Sequence, residues 1–452
     1  MFADQRGLQI TAASEDAVAA FDQTIEAYLG LRQDTGPLLK STFQSDPEMP
    51  LAHCLKGYFF KLMASGPLEA RAADAHAKAL GLSETAATRE QSHIAALGRW
   101  CDEDLPGATA IWEEILAEHP LDALALRLSH HGHFYMGDSA GMLRSLTTAL
   151  PAWSSETPGY SYVLGMKSFA CEETGDYRTA EAAGREAVER HPDDPWAIHA
   201  IAHVMEMEDR RHEGVEWITG LEDHWTPANN FRYHLWWHRA LMHLELGQTA
   251  EVLRLYDESI WDPESDEYLD LCNDAALLLR LEFLGIDVGD RWQPLAKKVI
   301  GRNEEHLLTF IDAHFAVILA AAGEWNAADR LIETMPTKGG QIRETIGVPL
   351  CHAIIDHRRG NPGPALASLS QVRDKIMSIG GSHAQRDLFE LLLIDCAVRG
   401  NELDTAKNLL EERTAAKPGN ATGWQHYASL LEKMGDVDGA AAAAQQTADL
   451  RA

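Results

Sequence analysis

Apolar residues recur every three or four positions along nearly the whole chain, which is the spacing of α-helices that bury one face. Runs that alternate apolar and polar residues, which would predict β-strands, do not recur. Short turns centred on glycine, such as M-G-D, T-G-D, A-G-E and R-G-N, interrupt the helical pattern at a regular interval. The turn glycines are Gly137, Gly175, Gly247, Gly285, Gly323, Gly360, Gly400 and Gly435. From Gly247 onward they stand 38, 38, 37, 40 and 35 residues apart, which predicts a chain of helical hairpins.

The same rhythm extends over the rest of the chain. Between Gly175 and Gly247 the interval is 72 residues, or two units, and the missing turn falls near Asp209. Gly66 and the stretch 102–104 continue the rhythm toward the N-terminus. Small residues after each turn let the second helix pack closely on the first, as in tetratricopeptide repeats. The pattern predicts an all-α, tetratricopeptide-like α-solenoid of about eleven helical hairpins, wound into a tight superhelix with an enclosed concave face.

The domain organisation follows from the absence of a linker rich in proline, glycine or serine. Residues 1–452 are therefore predicted to form a single continuous helical-repeat domain. Its ends are predicted to be caps. Residues 1–45 form the N-terminal cap, with a helix from Ala12 to Leu31 that Ser14 opens, and residues 420–452 form the C-terminal cap repeat.

The composition narrows the classes of partner. The 452 residues include 69 acidic and 39 basic side chains, which give a net charge of −30. Nucleic acids and anionic membrane surfaces attract cationic proteins, so we expect neither as a partner. The N-terminus lacks the features of a secretory signal, no apolar run approaches about 18 residues, and no two of the cysteines form a C-x-x-C pair. These features predict a cytoplasmic protein, and they leave both a monomer and a homodimer open.

One predicted helix carries three polar residues in line. Successive residues of an α-helix are 100° apart, so His199, His203 and Glu206 of W-A-I-H-A-I-A-H-V-M-E-M share one stripe. The next hairpin repeats this arrangement. His234 and His238 stand thirteen and nine residues before its turn, just as the first two histidines stand thirteen and nine residues before residue 212. The first helix of a tetratricopeptide hairpin lines the concave surface, so these side chains are expected to face a common interior.

A fifth histidine follows the same register. His314 stands nine residues before Gly323. Because imidazoles titrate near neutral pH, the histidines of this register are predicted as acid/base groups. They are His199, His203, His234, His238 and His314. Asp312 lies two residues before His314, so a regular helix turns at most one of the two toward the interior.

Histidines four residues apart on a helix also suit a metal ion. The candidate ligands are His199, His203, Glu206, His234 and His238. Their nitrogen and oxygen donors are typical of zinc, manganese or iron sites. Residue 200 is alanine, so the H-E-x-x-H pattern of zincins is absent. Three interpretations stay open, which are a metal site, a polar pocket without metal, and histidines that only hydrogen-bond between helices.

A second polar cluster lies in G-G-S-H-A-Q-R-D, residues 380–387. Ser382 and Gln385 match the form of a capping box, which favours a structural role for both. Arg386 stands early in a first helix, where its guanidinium is suited to clamp a carboxylate or phosphate. The predicted ligand-binding residues are Glu206, Asp274, Gln385, Arg386, Asp387 and Trp237.

Several motifs, in order along most of the chain, resemble the tetratricopeptide repeat protein 38 family. They are Y-V-L-G-M-K-S-F-A-C-E-E-T from Tyr162, the W-A-I-H-A-I-A-H-V-M-E-M helix, H-L-W-W-H-R-A-L from His234, L-R-L-Y-D from Leu253, D-A-H-F from Asp312, G-V-P-L-C from Gly347 and residues 380–387. The resemblance implies a closed or tightly wound helical-repeat fold. It also implies roles for the matching polar positions His199, His203, Glu206, His234, His238, Asp312, His314, Gln385, Arg386 and Asp387. His383 stands where the family pattern has asparagine.

Two functional hypotheses follow, and the sequence leaves the choice between enzyme and binding protein open. In the first, the concave interior binds a small polar or anionic ligand in a pocket lined by histidine, glutamate, aspartate and arginine, and catalyses acid/base or metal-dependent hydrolysis. In the second, the array is a scaffold that binds a peptide or protein in its groove without catalysis. The concentration of His, Asp, Glu and Trp in the middle repeats favours the first.

Overall fold

A computed structural model describes residues 1–452 of the protein. The chain is almost entirely helical, and its one sheet is a short antiparallel pair of strands, β1 (Phe2–Ala3) and β2 (Gln9–Ile10). Contacts divide the helices between two compact units. The first unit comprises Met1–Val204 and Leu221–Arg232, and the second comprises Met205–Gly220 and Tyr233–Ala452. The prediction of one continuous domain stays a prediction.

The first eleven helices and the single-turn α13 belong wholly or mostly to the first unit. They are α1 (Glu15–Leu29), α2 (Thr35–Ser45), α3 (Pro50–Leu62), α4 (Gly66–Gly81), α5 (Thr88–Cys101), α6 (Leu105–Glu118), α7 (Ala123–Tyr135), α8 (Ser139–Ala149), α9 (Tyr160–Glu173), α10 (Tyr177–Arg190), α11 (Pro195–Met207) and α13 (Glu222–Trp225). Helix α12 (Arg211–Gly220) belongs to the second unit. Helices α1 to α10 pack as five consecutive hairpins. The sequence pattern predicted this arrangement.

The remaining helices belong to the second unit, apart from the first residues of α14. They are α14 (Phe231–Glu245), α15 (Thr249–Leu255), α16 (Tyr268–Phe283), α17 (Trp292–Val299), α18 (Thr309–Ala321), α19 (Trp325–Thr334), α20 (Val348–Arg358), α21 (Pro362–Val372), α22 (His383–Arg399), α23 (Leu403–Ala416), α24 (Ala421–Met434) and α25 (Val437–Arg451). Helix α16 packs against both α18 and α22, so first helices of different hairpins meet inside this unit. None of the helices combines the length and apolar character that crossing a bilayer requires.

The turns explain why the chain folds into hairpins. In M-G-D and T-G-D, Gly137 and Gly175 adopt left-handed conformations with φ of 68° and 84°, which end the first helix. The aspartates that follow, Asp138 and Asp176, accept hydrogen bonds from the amides of Gly141 and Thr179 and so cap the second helix.

Turns without glycine use other residues. Asp209 has a φ of 61°, which confirms the turn that the sequence rhythm predicts there, and Glu103 has a φ of 63° in the 102–104 stretch. At R-G-N the left-handed residue is Asn401, with a φ of 59°, whereas Gly400 has a φ of −72°. The predicted turn at Gly400 is therefore present, but its left-handed residue is Asn401, because asparagine also tolerates this region.

Two cap predictions are confirmed. Ser14 accepts a hydrogen bond from the amide of Ala17 and opens α1, which runs from Glu15 rather than Ala12. Ser382 and Gln385 form the expected capping box at the start of α22.

Small residues allow the two helices of a hairpin to approach closely. A Cβ at Gly184 of α10 would lie 2.6 Å from Oγ of Ser168 and 2.7 Å from Cδ1 of Ile201. Ala180 and Ala187 on the same face are fully buried. Small side chains on the helix that follows each turn therefore allow its neighbours to pack closely against it, as in tetratricopeptide hairpins.

Candidate functional site

The histidine pair of α11 lies inside the first unit. His199 and His203 are 2% and 0% exposed, and their Nε2 atoms lie 2.9 Å apart. The rings pack against Phe169 of α9, whose centroid lies 5.4 Å from each imidazole. Trp196, one turn earlier on α11, lies 5.4 Å from His199. The predicted stripe is thus buried among aromatic rings.

Two carboxylates of α9 accompany this pair, and the sequence analysis assigned them no role. Oε2 of Glu172 lies 3.7 Å from Nδ1 of His203, and both groups are fully buried. Each of Glu172, Glu173 and His203 offers one ligand atom, and these atoms lie within 4.8 Å of one another. Acidic residues at a helix C-terminus oppose the helix dipole, so two buried glutamates in the last turn of α9 are a signal that the sequence offers.

The histidine pair of α14 lies inside the second unit. His234 and His238 are 3% and 0% exposed, and their Nε2 atoms lie 3.2 Å apart. Nδ1 of His238 donates to Oε2 of Glu206 at 3.1 Å. Nδ1 of His234 donates to Oδ1 of Asn273 on α16 at 3.0 Å. Burial and the neighbouring His238 lower the pKa of His234 well below its usual value, so this imidazole is neutral.

Trp237 connects this pair to a buried arginine. The indole is fully buried and stacks on His234 with an interplanar angle of 13° and a centroid distance of 5.3 Å. The guanidinium carbon of Arg280 lies 5.6 Å from the centroid of the Trp237 ring. Both hydrogen bonds of Arg280 go to backbone carbonyls, those of Ala276 at 3.1 Å and Ala384 at 2.6 Å.

Arg280 lines a cavity of about 50 Å³ within the second unit. The ionisable residues of its wall are Glu206, Asp209, Glu245 and Asp387 together with Arg211, Arg280, Arg413, Lys417 and His426. Burial lowers the pKa of Arg280, and the charges of Asp387 and Glu206 offset this effect only in part. The cavity therefore has a buried cation whose charge the protein does not fully balance.

The other charged residues of the wall pair with one another. Arg413 donates to both carboxylate oxygens of Asp387, at 2.8 and 2.9 Å. Burial alone would raise the pKa of Asp387, but the charges of Arg413 and Lys417 outweigh it and hold this pKa well below its usual range. Glu245 accepts from the amide of Thr422 at 3.1 Å. Burial and Arg413 lower the pKa of His426 to about 4, so His426 is a neutral member of the wall.

The predicted ligand-binding residues occupy different places. Glu206 and Asp387 line the cavity. Gln385 acts in the capping box, and Arg386 donates to the carbonyl oxygen of Gly381. Asp274 is buried in α16, where burial and the charge of Asp270 raise its pKa well above the usual value.

Both candidates on α18 are buried. Nδ1 of His314 donates to the carbonyl oxygen of Phe310 at 2.8 Å, and burial lowers the pKa of His314 to about 4. Asp312 accepts from Nδ1 of His306 at 2.9 Å. Neither residue lines the cavity. Their roles at a site stay predictions.

Several cavity residues were missed by the sequence analysis. Arg413 and Lys417 belong to α23 and to the connection after it, whereas the repeat pattern predicts interior residues on first helices only. Nothing in the local sequence distinguishes Arg413 from a surface arginine. Arg280 does have a signal, because it is the one basic residue in the apolar run A-A-L-L-L-R-L.

The paired helices, the left-handed turns and the small-residue faces define a tetratricopeptide-like helical-repeat protein. No known protein-family model matches the chain. Cellulose synthase operon protein C of Pseudomonas fluorescens (strain SBW25) is 22% identical over 344 residues, which cover 74% of this chain and 26% of that protein. The chain thus spans about a quarter of the length of this curated relative.

Solved helical-repeat structures are also similar to the chain. The human IFIT1 dimer with PPP-AAAA is 11% identical, with a TM-score of 0.42, and the match covers 98% of this chain and 96% of that one. Yeast Tom70 is 14% identical, with a TM-score of 0.38, and the match covers 89% and 92% of the two chains.

Proposed function

We propose that the second unit binds a small anionic ligand in the cavity around Arg280. The observation that carries this proposal is a buried guanidinium at a cavity wall whose hydrogen bonds both go to backbone carbonyls. A buried charge without an ionic partner is costly to the fold. A carboxylate or phosphate group would supply that partner, since both match the geometry of the arginine fork.

The size of the cavity supports a small anionic group rather than a peptide. One water molecule needs roughly 10–15 Å³ of such a cavity. The cavity of about 50 Å³ therefore accommodates only a few heavy atoms. An adjoining groove of about 310 Å³ shares Leu284, Leu391 and His426 with the cavity, and Phe283 and Ile394 extend it with apolar surface. We therefore propose a ligand whose anionic group occupies the cavity and whose apolar remainder lies in the groove.

Catalysis is a further part of the proposal. Burial and the charge of Arg280 lower the pKa of His314 to about 4, so His314 is neutral at pH 7, which is the form that a general base requires. The reactions that suit such a base are hydrolysis and proton transfer at a ligand that extends beyond the cavity. A hydrolase assay on carboxylic and phosphoric esters tests this part, and loss of turnover in His314→Gln with retained ligand binding is the expected result.

We also propose membership of the tetratricopeptide repeat protein 38 family. The support is the ordered set of motifs that covers most of the chain, including the two histidine-bearing helices α11 and α14. The family name denotes a fold and implies no activity, so the ligand class rests on the residues of the cavity.

The alternative function is that of a scaffold for a peptide. It is favoured by an open groove of about 430 Å³ in the first unit, where Tyr160, Lys167, Arg178 and Glu186 combine aromatic and charged surface. Capture of a peptide library by the chain, abolished by Lys167→Ala with Arg178→Ala and retained in Arg280→Met, is the result that this alternative predicts.

A thermal-shift panel tests the ligand proposal. The probes are inorganic phosphate, sulfate, acetate, octanoate and octyl phosphate, each titrated to millimolar concentration. We expect the amphiphilic anions to raise the melting temperature most, by an amount that follows RT ln(1 + [L]/Kd). Arg280→Met should abolish the shift. Arg254→Met is the matched control, because Arg254 is an exposed arginine of the same unit that pairs with Glu251 and Glu258. An unchanged shift in Arg280→Met would overturn the proposal, as would the absence of any shift.

A further inference from the structure

The tautomers of the α14 histidines follow from their partners. Nδ1 of His238 faces Oε2 of Glu206 at 3.1 Å, and an ionised carboxylate only accepts hydrogen bonds. Nδ1 of His234 faces Oδ1 of Asn273 at 3.0 Å, and an amide oxygen also only accepts. Both Nδ1 atoms therefore carry the proton. In the neutral form of each ring, Nε2 is therefore the nitrogen that carries the lone pair.

These two lone pairs face each other. The Nε2 atoms of His234 and His238 lie 3.2 Å apart. A metal ion beside both nitrogens would accept both lone pairs.

The separation matches that of two ligands of one metal ion. Imidazole nitrogens about 2.0–2.1 Å from an ion, at octahedral or tetrahedral angles, lie about 2.8–3.4 Å apart. The second partner of each ring also fits, since metal-bound histidines typically donate their other N–H to a carboxylate or a carbonyl oxygen. Glu206 and Asn273 occupy these positions.

The α11 pair has a related geometry in the first unit. The Nε2 atoms of His199 and His203 lie 2.9 Å apart, within the same range. The carboxylate of Glu172 lies 3.7 Å from Nδ1 of His203, where it can orient that ring. The recurrence in a second pair shows that the arrangement is not peculiar to one helix.

We propose that His234 and His238 bind a divalent transition-metal ion through Nε2, with Glu206 and Asn273 orienting the two rings. His199 and His203 are proposed as metal ligands because their Nε2 atoms have a similar separation, and Glu172 lies beside His203. Neutral imidazoles suit zinc and iron, whereas manganese prefers oxygen ligands. This proposal is independent of the anionic ligand around Arg280.

Metal analysis of the full, tag-free chain tests the proposal. The protein is incubated with Zn²⁺, Mn²⁺ or Fe²⁺, desalted and analysed by elemental mass spectrometry, and Co²⁺ is used as a spectroscopic probe of nitrogen ligation. We expect about one equivalent of metal per histidine pair in the wild type, about half of the wild-type amount in His238→Gln and in His203→Gln, and less than a tenth of it in the double variant. His352→Gln changes an exposed histidine of α20 and should bind metal as the wild type does.

A second variant keeps the test decisive if a histidine variant fails to fold. Glu206 is partly exposed, so Glu206→Gln should preserve the fold, which circular dichroism checks. It should weaken metal affinity about 10- to 100-fold, the usual effect of losing an orienting carboxylate. A wild-type chain that takes up none of these ions would overturn the proposal and mean that His234 donates from Nε2 to His238. Full metal retention in His238→Gln, or unchanged affinity in Glu206→Gln, would also overturn it.

Discussion

Replacement of Arg280 by methionine should stabilise the protein while abolishing ligand binding. Arg280 is 5% exposed, and its guanidinium has no carboxylate as a hydrogen-bond partner. Burial lowers its pKa, so the charged form is less stable in the folded chain than in the unfolded chain. Methionine fills much of the same volume without a charge. Both carbonyls that Arg280 contacts lie in helices, where backbone amides also bond to them.

The expected gain follows from the cost of burying a charge. Replacing buried ionic groups by well-packed apolar ones is often stabilising by about 1–4 kcal/mol. The two lost hydrogen bonds offset part of this gain, so we expect an increase of about 1–3 kcal/mol in the free energy of unfolding. For a unit of this size, each kcal/mol corresponds to roughly 2–4 °C in melting temperature.

Urea denaturation followed by circular dichroism measures the effect, with Arg254→Met as the control of unchanged stability. The measurement is made without anions that could bind at the cavity, because a bound ligand would stabilise the wild type alone. A loss of more than about 1 kcal/mol in Arg280→Met would refute the reasoning. It would show that the guanidinium stabilises the second unit and is structural.

Three further predictions concern buried polar groups and a helix cap. Asp122→Ala should lower the free energy of unfolding by about 3–5 kcal/mol in urea denaturation, because Arg89 and His93 lose the buried carboxylate that they contact at 2.5 and 3.0 Å; a loss below about 1 kcal/mol would contradict this role. Burial raises the pKa of Asp194 to about 7, so the folded chain retains a proton that the unfolded chain releases near pH 4, and stability should fall as pH rises from 4 to 7, by up to ~4 kcal/mol. Asp194→Asn should lack this contribution, and identical pH profiles of the two proteins would exclude it. Ser382→Ala should cost about 1 kcal/mol, and Ser382→Gly only a few tenths; equal losses in the two variants would argue against the cap.

The periodic features of the fold were predictable because they depend on local chemistry. Glycines such as Gly247 close helices in left-handed turns wherever the repeat is regular. The same rhythm located the turn at Asp209, where no glycine marks it. At the turn of residues 399–401, Asn401 rather than Gly400 is left-handed, because asparagine and glycine stand side by side and both tolerate the conformation. Position in the repeat identifies a turn, whereas the left-handed residue within it depends on the geometry of both helices.

The candidate site was predictable only along single helices. Spacings of four residues placed His199 beside His203 and His234 beside His238, and both pairs are in contact. Their partners on other helices were not predictable, because helical periodicity gives the direction of a side chain but not its neighbour across a packed interface. Asn273 is an example. It lies on α16, 39 residues after His234 in the chain, and contacts that histidine.

Satisfaction of buried charges separates structural groups from candidate functional ones. Arg413 and Asp387 form a bidentate pair, so their burial is compensated within the protein. Arg280 lines the same cavity without such a partner. In the first unit, Nε and Nη2 of Arg127 are buried without hydrogen bonds, and the guanidinium lies over Trp196 at 4.2 Å. Neither residue type nor burial makes this distinction, since all three residues are buried arginines. The difference is in whether the folded chain supplies the opposite charge, and where it does not, the arginine is the residue to test for ligand binding.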